Sequence, residues 1–174
     1  YNVMLVTIGR SSTENGTYLP GVDGVDASQN LNQTDPLGLS DDERDLINAA
    51  VEAKENNGGK VIVMLNNANA MEIDEIKNND GVDAIMEVGL PGGYGFYGVA
   101  DILSGEANPS GHLTDTYAVT NASSPAAQNF GDYEWTNADP AVNINAEEVE
   151  AEGIYTGYKY YETRYADTVL GQGN

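Results

Sequence analysis

The clearest candidate for chemistry is Glu14, in the loop sequence GRSSTENG at residues 9–16. It follows the apolar run VMLVTI at residues 3–8, so a short strand would project it from its end. Acid–base cleavage of a glycosidic bond needs such groups in pairs, because one carboxylic acid protonates the leaving oxygen while a second carboxylate attacks or activates water. The position makes Glu14 a candidate for such a role, although a loop glutamate taken alone is more often a solvated surface carboxylate.

Arg10 stands four residues before Glu14. A guanidinium group at this place can bond a sugar hydroxyl or orient a carboxylate. It can equally form an ordinary surface ion pair. Arg10 is therefore the second candidate site residue, with substrate binding as its predicted role.

The remaining polar candidates favour structural interpretations. His112 is the one histidine, and no G-x-S-x-G nucleophile elbow accompanies it, so a turn position is the preferred reading. The spacing of Asp23, Asp26 and Asp35 does not match a calcium loop. With no cysteine in the chain, thiolate metal sites and thiol catalysis are excluded. We expect neither a metal nor a cofactor.

Glycine and aromatic patterns give two further possibilities. Gly93-x-Gly95-x-x-Gly98 formally matches the dinucleotide fingerprint, but it follows a late strand, so a backbone turn is favoured over a nucleotide site. The tyrosines within EGIYTGYKYYETRY, residues 152–165, can stack on sugar or cover a domain interface, and the interface is favoured. Trp135 is a stacking candidate by residue type.

Charge limits the class of partner. The 174 residues carry a net charge of -21, which argues against binding to nucleic acid and to an anionic membrane surface, since both need a basic footprint. No apolar run is long enough to span a bilayer. The acidic, cysteine-free composition suits a bacterial enzyme that acts at or outside the cell surface.

Apolar strands alternate with amphipathic helices over residues 1–119. We predict strands at 3–8, 60–66, 82–89 and 112–118, and helices that start after Ser40, over 70–79 and over 95–105. This order indicates an α/β domain with a mostly parallel sheet, whose ligands collect beyond the carboxyl ends of the strands. Residues 120–174 are predicted to be an irregular segment followed by an extended, tyrosine-rich closing element.

The stretch GLPGGYGFYGVADILSGEANPSGHLTDTYA, residues 89–118, resembles the PG…A-D-x-L-x-G-x-x-N-P-S-G-[RK]-L sequence of family 3 glycoside hydrolases. Other pieces resemble the family in the same order, namely VMLVTIGRSSTENG, LSDDERDLINAAVEA, KVIVMLNNANAMEI and EGIYTGYKYYETRY. Within these pieces Glu14 matches the Glu of G-E-G and Arg10 matches the Arg of G-R. Thr13 and Asn15 replace the glycines that flank that Glu in the family.

The resemblance implies a three-layer α/β/α sandwich of flavodoxin-like type, with a mostly parallel sheet. It implies retaining hydrolysis of β-glucosides or related β-glycosides, with Glu14 as the acid/base and the nucleophilic Asp on a separate (β/α)8 barrel domain. The 174 residues would then be a single sandwich domain, incomplete at its N-terminus, without the barrel and with a fibronectin-like domain as a possible neighbour. A non-catalytic carbohydrate-binding or structural interdomain module of such an enzyme is the alternative.

Overall fold

The protein is described from a computed structural model over residues 2–10, 37–129, 150–168 and 170–171. By internal contacts the chain divides into two compact units, Tyr1–Asn121 and Ala122–Asn174. Glu14, Asp23, Asp26, Asp35 and Trp135 lie outside the described residues.

The first unit is built on a parallel sheet of three strands in the order β1-β2-β3. The strands are β1 (Val3–Gly9), β2 (Lys60–Asn66) and β3 (Ala84–Glu87). Both pairings are parallel, and the register aligns Leu5 with Ile62 and Ile62 with Ala84. The predicted α/β class and parallel sheet are confirmed.

One face of the sheet forms the core. Helix α1 (Asp41–Asn57) contacts β1 and β2, and it directs Ile47 into the cluster. The short helix α2 (Asp74–Lys77) adds Ile76 to the same cluster. The strands contribute side chains of alternating positions, because successive residues of a strand point to opposite faces. These buried strand residues are Val6, Ile8, Val61, Val63 and Leu65.

Local sequence defines the ends of α1. Ser40 Oγ accepts a hydrogen bond from the Glu43 amide, and the Glu43 side chain accepts one from the Ser40 amide, so the two residues form a capping box. Asp41 and Asp42 place further negative charge at the positive end of the helix dipole. Gly58, at φ 75°, ends the helix.

Helix α3 (Gly92–Ser104) follows β3 across a short connection. Pro91 precedes it, and no side chain caps its first amides. Gly105 closes it in the left-handed conformation, as the sequence predicts. The helix begins three residues before the predicted start at residue 95, so the glycines of GGYGFYG are helical.

Strand β1 is not buried on both faces, since Val3 and Leu5 are each 47% exposed on the face opposite the α1 core. One prediction for the first unit is wrong. Residues 112–118 do not form a strand. They are held instead by a side chain, because the Tyr117 hydroxyl donates to Glu87 Oε2 at 3.0 Å.

The second unit contains short helices. These are α4 (Pro125–Asn129), α5 (Tyr158–Thr163) and α6 (Tyr165–Thr168). The predicted extended conformation of residues 152–165 is therefore wrong. Tyrosines at 158, 161 and 165 also fit the i, i+3, i+7 spacing of a helix, and Gly157, at φ 54°, turns the chain into α5. Tyr160 is buried, and its ring centroid lies 5.3 Å from that of Tyr161.

Candidate active site at the carboxyl edge of the sheet

Arg10 comes directly after β1 and is only 7% exposed. Its backbone amide donates to the Asn66 carbonyl oxygen at 3.1 Å, so the β1–β2 ladder extends to this residue. Its guanidinium group reaches the start of α1, where Nε donates to Glu43 Oε1 at 3.1 Å and Nη2 donates to Glu43 Oε2 and to the Gly38 carbonyl oxygen. The fork of the guanidinium therefore binds the carboxylate in a bidentate manner.

Glu43 joins three features of this corner. Its carboxylate accepts from the Ser40 amide at 2.8 Å as part of the capping box, and it accepts both hydrogen bonds from Arg10. It also lies in the first turn of α1, where the helix dipole favours an anion. The chain on either side of residues 11–36 is consequently fastened at Arg10 and at Gly38–Ser40.

The structure thus gives Arg10 a structural role, in a buried ion pair where the sequence suggested a surface one. The pair is buried, with 4% of the Arg10 side chain and 16% of the Glu43 side chain exposed. Substrate binding by Arg10 stays a prediction. Glu14, four positions after Arg10 in the sequence, lies outside the described residues.

Asn66 ends β2 at the same edge of the sheet, and Asn67 follows it. The Asn66 side-chain amide donates to the Gly89 carbonyl oxygen, which ties the end of β2 to the chain that leaves β3. Asn67 is 3% exposed, and its amide nitrogen lies 3.0 Å from the Met71 sulfur. Its Oδ1 has no hydrogen-bond partner among the residues that the structure describes. The sequence indicated this loop as a ligand edge without singling out either side chain.

Glu87 ends β3 and accepts two hydrogen bonds. The Gly89 amide donates to Oε1 at 2.8 Å, and the Tyr117 hydroxyl donates to Oε2. Burial, together with the hydrogen bond to the Glu87 carboxylate, raises the pKa of Tyr117 to about 12. The phenol therefore remains a proton donor at neutral pH, which suits an anchor for residues 112–118 rather than a base.

A groove of about 1160 Å³ lies on the sheet face opposite the α1 core. Ile62, Ala84 and Met86 form its floor, and Val99 and Ile102 of α3 form one wall. The N-P-S-G turn at residues 108–111 and the exposed His112 border it. The groove is largely apolar, and Glu87, Tyr117 and Asn67 bring polar groups to its carboxyl end.

Among the described residues of the first unit, the first turns of α3 present the most exposed aromatic side chains. Tyr94 is 87% exposed and Tyr97 is 71% exposed, and their ring centroids are 6.5 Å apart. In the sequence this stretch stands out for its glycines, and the two tyrosines are easily missed. The available signal was their i, i+3 spacing on a helix that starts at the carboxyl edge of the sheet.

Two other predicted features have different outcomes. Gly93, Gly95 and Gly98 lie within α3 rather than in a strand-to-helix turn, so the dinucleotide fingerprint has no phosphate-binding loop. The tyrosine cluster of the second unit packs partly on itself, and Arg164 lies 5.5 Å from the centre of the Tyr155 ring.

In the described ranges no group of three or more potential metal ligands converges, and no helix there has the length and apolarity to cross a membrane.

The chain is similar to known proteins along most of its length. The sequence model described as the glycosyl hydrolase family 3 C-terminal domain matches residues 1–158. Thermostable beta-glucosidase B of Acetivibrio thermocellus is 30% identical over 165 residues, which cover 94% of this chain and 19% of that protein. A beta-glucosidase of Ruminococcus albus is 34% identical over 116 residues, which cover 65% of this chain and 11% of that protein.

A solved structure shares the fold. Beta-glucosidase 3B from Thermotoga neapolitana, in complex with glycerol, superimposes with a TM-score of 0.69 at 33% identity. The match covers 93% of this chain and 20% of that one. The 174 residues therefore span about one fifth of the length of the Acetivibrio thermocellus and Thermotoga neapolitana proteins.

Proposed function

The chain belongs to glycosyl hydrolase family 3 and matches the C-terminal domain of that family. We propose that it is the α/β sandwich domain of a retaining β-glycosidase. It supplies the acid/base side of an active site that it shares with a (β/α)8 barrel domain of the parent enzyme. The substrate is a β-glucoside or a related β-glycoside. A fibronectin-like domain is a further proposed neighbour.

The observation that carries the proposal is the clamp around residues 11–36. Arg10 and Glu43 join the end of β1 to the start of α1, so the chain that bears Glu14 both leaves and returns at the carboxyl edge of the sheet. In open α/β sheets this edge is where ligands bind. Glu14 is only four positions after Arg10 in the sequence, and this short spacing supports a place near that edge.

The chemistry requires two carboxyl groups. Glu14 donates a proton to the leaving oxygen, and a carboxylate of the barrel attacks the anomeric carbon to form a glycosyl-enzyme. Glu14, now ionised, then removes a proton from the water that releases the sugar. Such a retaining pair lies about 5–5.5 Å apart, so the two domains must bring Glu14 close to the barrel carboxylate.

The first role of Arg10 in this proposal is structural. Two of its guanidinium nitrogens bind Glu43, which joins the end of β1 to the start of α1. We also propose that the same guanidinium group binds a hydroxyl of the sugar substrate.

The test is Glu14→Gln in the complete parent enzyme. On unactivated β-glucosides the rate should fall about 10²- to 10⁴-fold, because the leaving oxygen is no longer protonated. Aryl glucosides with acidic leaving groups should lose much less in the first step. Glu55→Gln, an exposed glutamate of α1, is the matched control and should keep the parent rate.

A parent enzyme that keeps its full rate on unactivated glucosides after Glu14→Gln would remove the acid/base role. The alternative would then be a non-catalytic carbohydrate-binding or structural interdomain module, a reading favoured by Thr13 and Asn15 in place of the flanking glycines of the family. Calorimetry of the isolated chain with oligosaccharides separates these two, since only the binding module takes up sugar.

A further inference from the structure

The C-terminal end of α1 places an asparagine side chain next to a glycine amide. Asn57 is the last residue of the helix, Gly58 follows it, and both residues are exposed. The sequence contains two Asn-Gly pairs, at residues 15–16 and 57–58, and the second lies within the described residues. In such a pair the next backbone nitrogen can attack the side-chain carbonyl carbon, because glycine has no side chain to obstruct the approach.

The reaction of this pair needs only water as a co-reactant. The Gly58 nitrogen attacks Asn57 Cγ, and its proton passes through solvent to the side-chain nitrogen, which leaves as ammonia. One C–N bond forms and one breaks, and the product is a succinimide ring. Water then adds to either ring carbonyl and opens the ring. The result is aspartate, or isoaspartate in which the main chain runs through the former side chain.

Two hydrogen bonds hold the reacting groups in the folded turn. The Gly58 amide donates to the Lys54 carbonyl oxygen at 2.7 Å, and Asn57 Nδ2 donates to the Ala53 carbonyl oxygen at 3.0 Å. Each group is therefore directed back along the helix, and the attack requires both bonds to open. The last turn of a helix opens at far lower free energy than the whole domain. The rate should therefore follow the opening of this turn rather than global unfolding.

The surrounding chain confines this opening to the end of the helix. A Cβ built on Gly58 would meet nothing within 4 Å, so a ring at this position has room. The same atom on Gly59 would lie 2.8 Å from the Asn2 carbonyl oxygen, which also accepts a hydrogen bond from the Lys60 amide. The chain is thus held from Gly59 onward, and only the residues before it need to move.

Lys54 fastens the same turn to the segment before β3. Its ammonium group donates to the Gly81 carbonyl oxygen at 2.9 Å and forms an ion pair with Asp83 at 2.7 Å. Less than a quarter of either charged side chain is exposed. The carbonyl oxygen of Lys54 is also the acceptor for the Gly58 amide. The tie to the neighbouring segment and the hydrogen bond that restrains the reaction therefore share one residue.

We propose that Asn57 is a site of spontaneous covalent modification, and that the last turn of α1 controls the rate through Lys54. This inference goes beyond the proposed function and does not depend on it. The product alters the turn, since a new carboxylate at the C-terminal end of a helix opposes the helix dipole. The isoaspartyl product also adds one carbon to the main chain, which displaces the Gly58 amide from the Lys54 carbonyl oxygen.

The first experiment is peptide mapping by mass spectrometry of the 174-residue chain during incubation at mildly alkaline pH. The peptide with Asn57 should gain the mass that separates an acid from an amide and should split into aspartyl and isoaspartyl forms. Asn48 and Asn56 are exposed on the same helix but precede residues with side chains, so both should stay unchanged. Asn57→Gln should abolish the gain, because glutamine closes the larger ring far more slowly. An unmodified Asn57 in the folded chain, at a time when the urea-unfolded chain has reacted there, would overturn the proposal.

Lys54→Met tests the control by the end of the helix. It keeps the apolar part of the side chain and removes the tie to Gly81 and Asp83, so modification at Asn57 should become about threefold faster. Lys77→Met is the matched control, because it removes an exposed ion pair within α2, and it should leave the rate unchanged. Equal rates for Lys54→Met and the parent chain would overturn the role of Lys54.

Ile8→Val separates local opening from global unfolding. Ile8 is buried in the core at the other end of β1 from Asn2, so this variant lowers the stability of the whole unit without touching the last turn of α1. The rate at Asn57 should equal that of the parent chain. An acceleration as large as that of Lys54→Met would show that the reaction proceeds only through global unfolding, and the control assigned to the turn would be wrong.

Discussion

Helices α1 and α3 flank the same sheet and differ in almost every physical respect. Helix α1 has a complete capping box, an acidic first turn and Ile47 buried in the core. Helix α3 has no side-chain cap, no acidic residue in its first turn and no buried residue. The first helix is held by local sequence and packing together, and the second is held by one half-buried side alone.

The difference separates scaffold from working surface. Natural sequences follow the rules of helix formation where only stability is needed, and departures from those rules concentrate where a surface has another task. At α1 the local rules and the core agree. At α3, glycines and exposed tyrosines depart from them, and the departure lies at the edge where a ligand is expected.

The largest expected difference between the two helices is in core packing. Ile47→Ala should lower the free energy of unfolding by about 2–5 kcal/mol, because it leaves a cavity against β1 and β2. Ile102→Ala, on the half-buried side of α3, should lower it by about 1 kcal/mol. Urea unfolding of the 174-residue chain measures both, and equal losses would show that α3 is as well packed as α1.

The buried ion pair at the start of α1 should give the next effect. Glu43→Gln leaves the Arg10 guanidinium buried beside a neutral amide, so the free energy of unfolding should fall by about 2–3 kcal/mol. Glu55→Gln on the exposed side of the same helix should change it by less than about 0.5 kcal/mol. If the two variants unfold at the same urea concentration, the clamp does not stabilise the corner.

The smallest effect concerns pH at the other end of α1. Lys54 of α1, then Lys60 and the Val61 amide, donate hydrogen bonds to the Asp83 carboxylate and hold its pKa below the ordinary value. A lowered pKa contributes stability that is complete above the ordinary aspartate pKa of about 3.9 and is lost as the pH falls through the lowered value.

The measurement is the urea midpoint of the parent chain and of Asp83→Asn between pH 7 and pH 2. The parent should be the more stable protein above about pH 4, and the gap should close at lower pH. Asp80→Asn controls for the loss of one negative charge on the same loop. A gap that stays constant down to pH 2 would contradict the assigned role of Asp83, and with it the anchoring of the C-terminal part of α1.

Much of the fold was predictable from the sequence because its signals are local. Ser40 and Glu43 have the spacing of a capping box, Gly105 indicates a helix end, and apolar runs predict β2 and β3. The wrong predictions involve partners distant in the chain. Residues 112–118 have a strand-like composition, but they form no ladder with β3, and Tyr117 anchors them through Glu87 instead. The tyrosines of residues 158–165 fit a strand and a helix equally well, and the structure places them on α5 and α6.

The features of the candidate site also fall into those that the sequence predicts and those that depend on distant segments. The sequence by itself determined the family, the parallel α/β class and the position of Arg10 and Glu14 just after a strand, because residue order along one chain carries that information. Only the tertiary structure decided that Arg10 is buried against Glu43, 33 residues away, and that Tyr94 and Tyr97 stand side by side in solvent. Burial, ion pairing and exposure depend on which distant segments meet, and that is settled by packing rather than by local sequence.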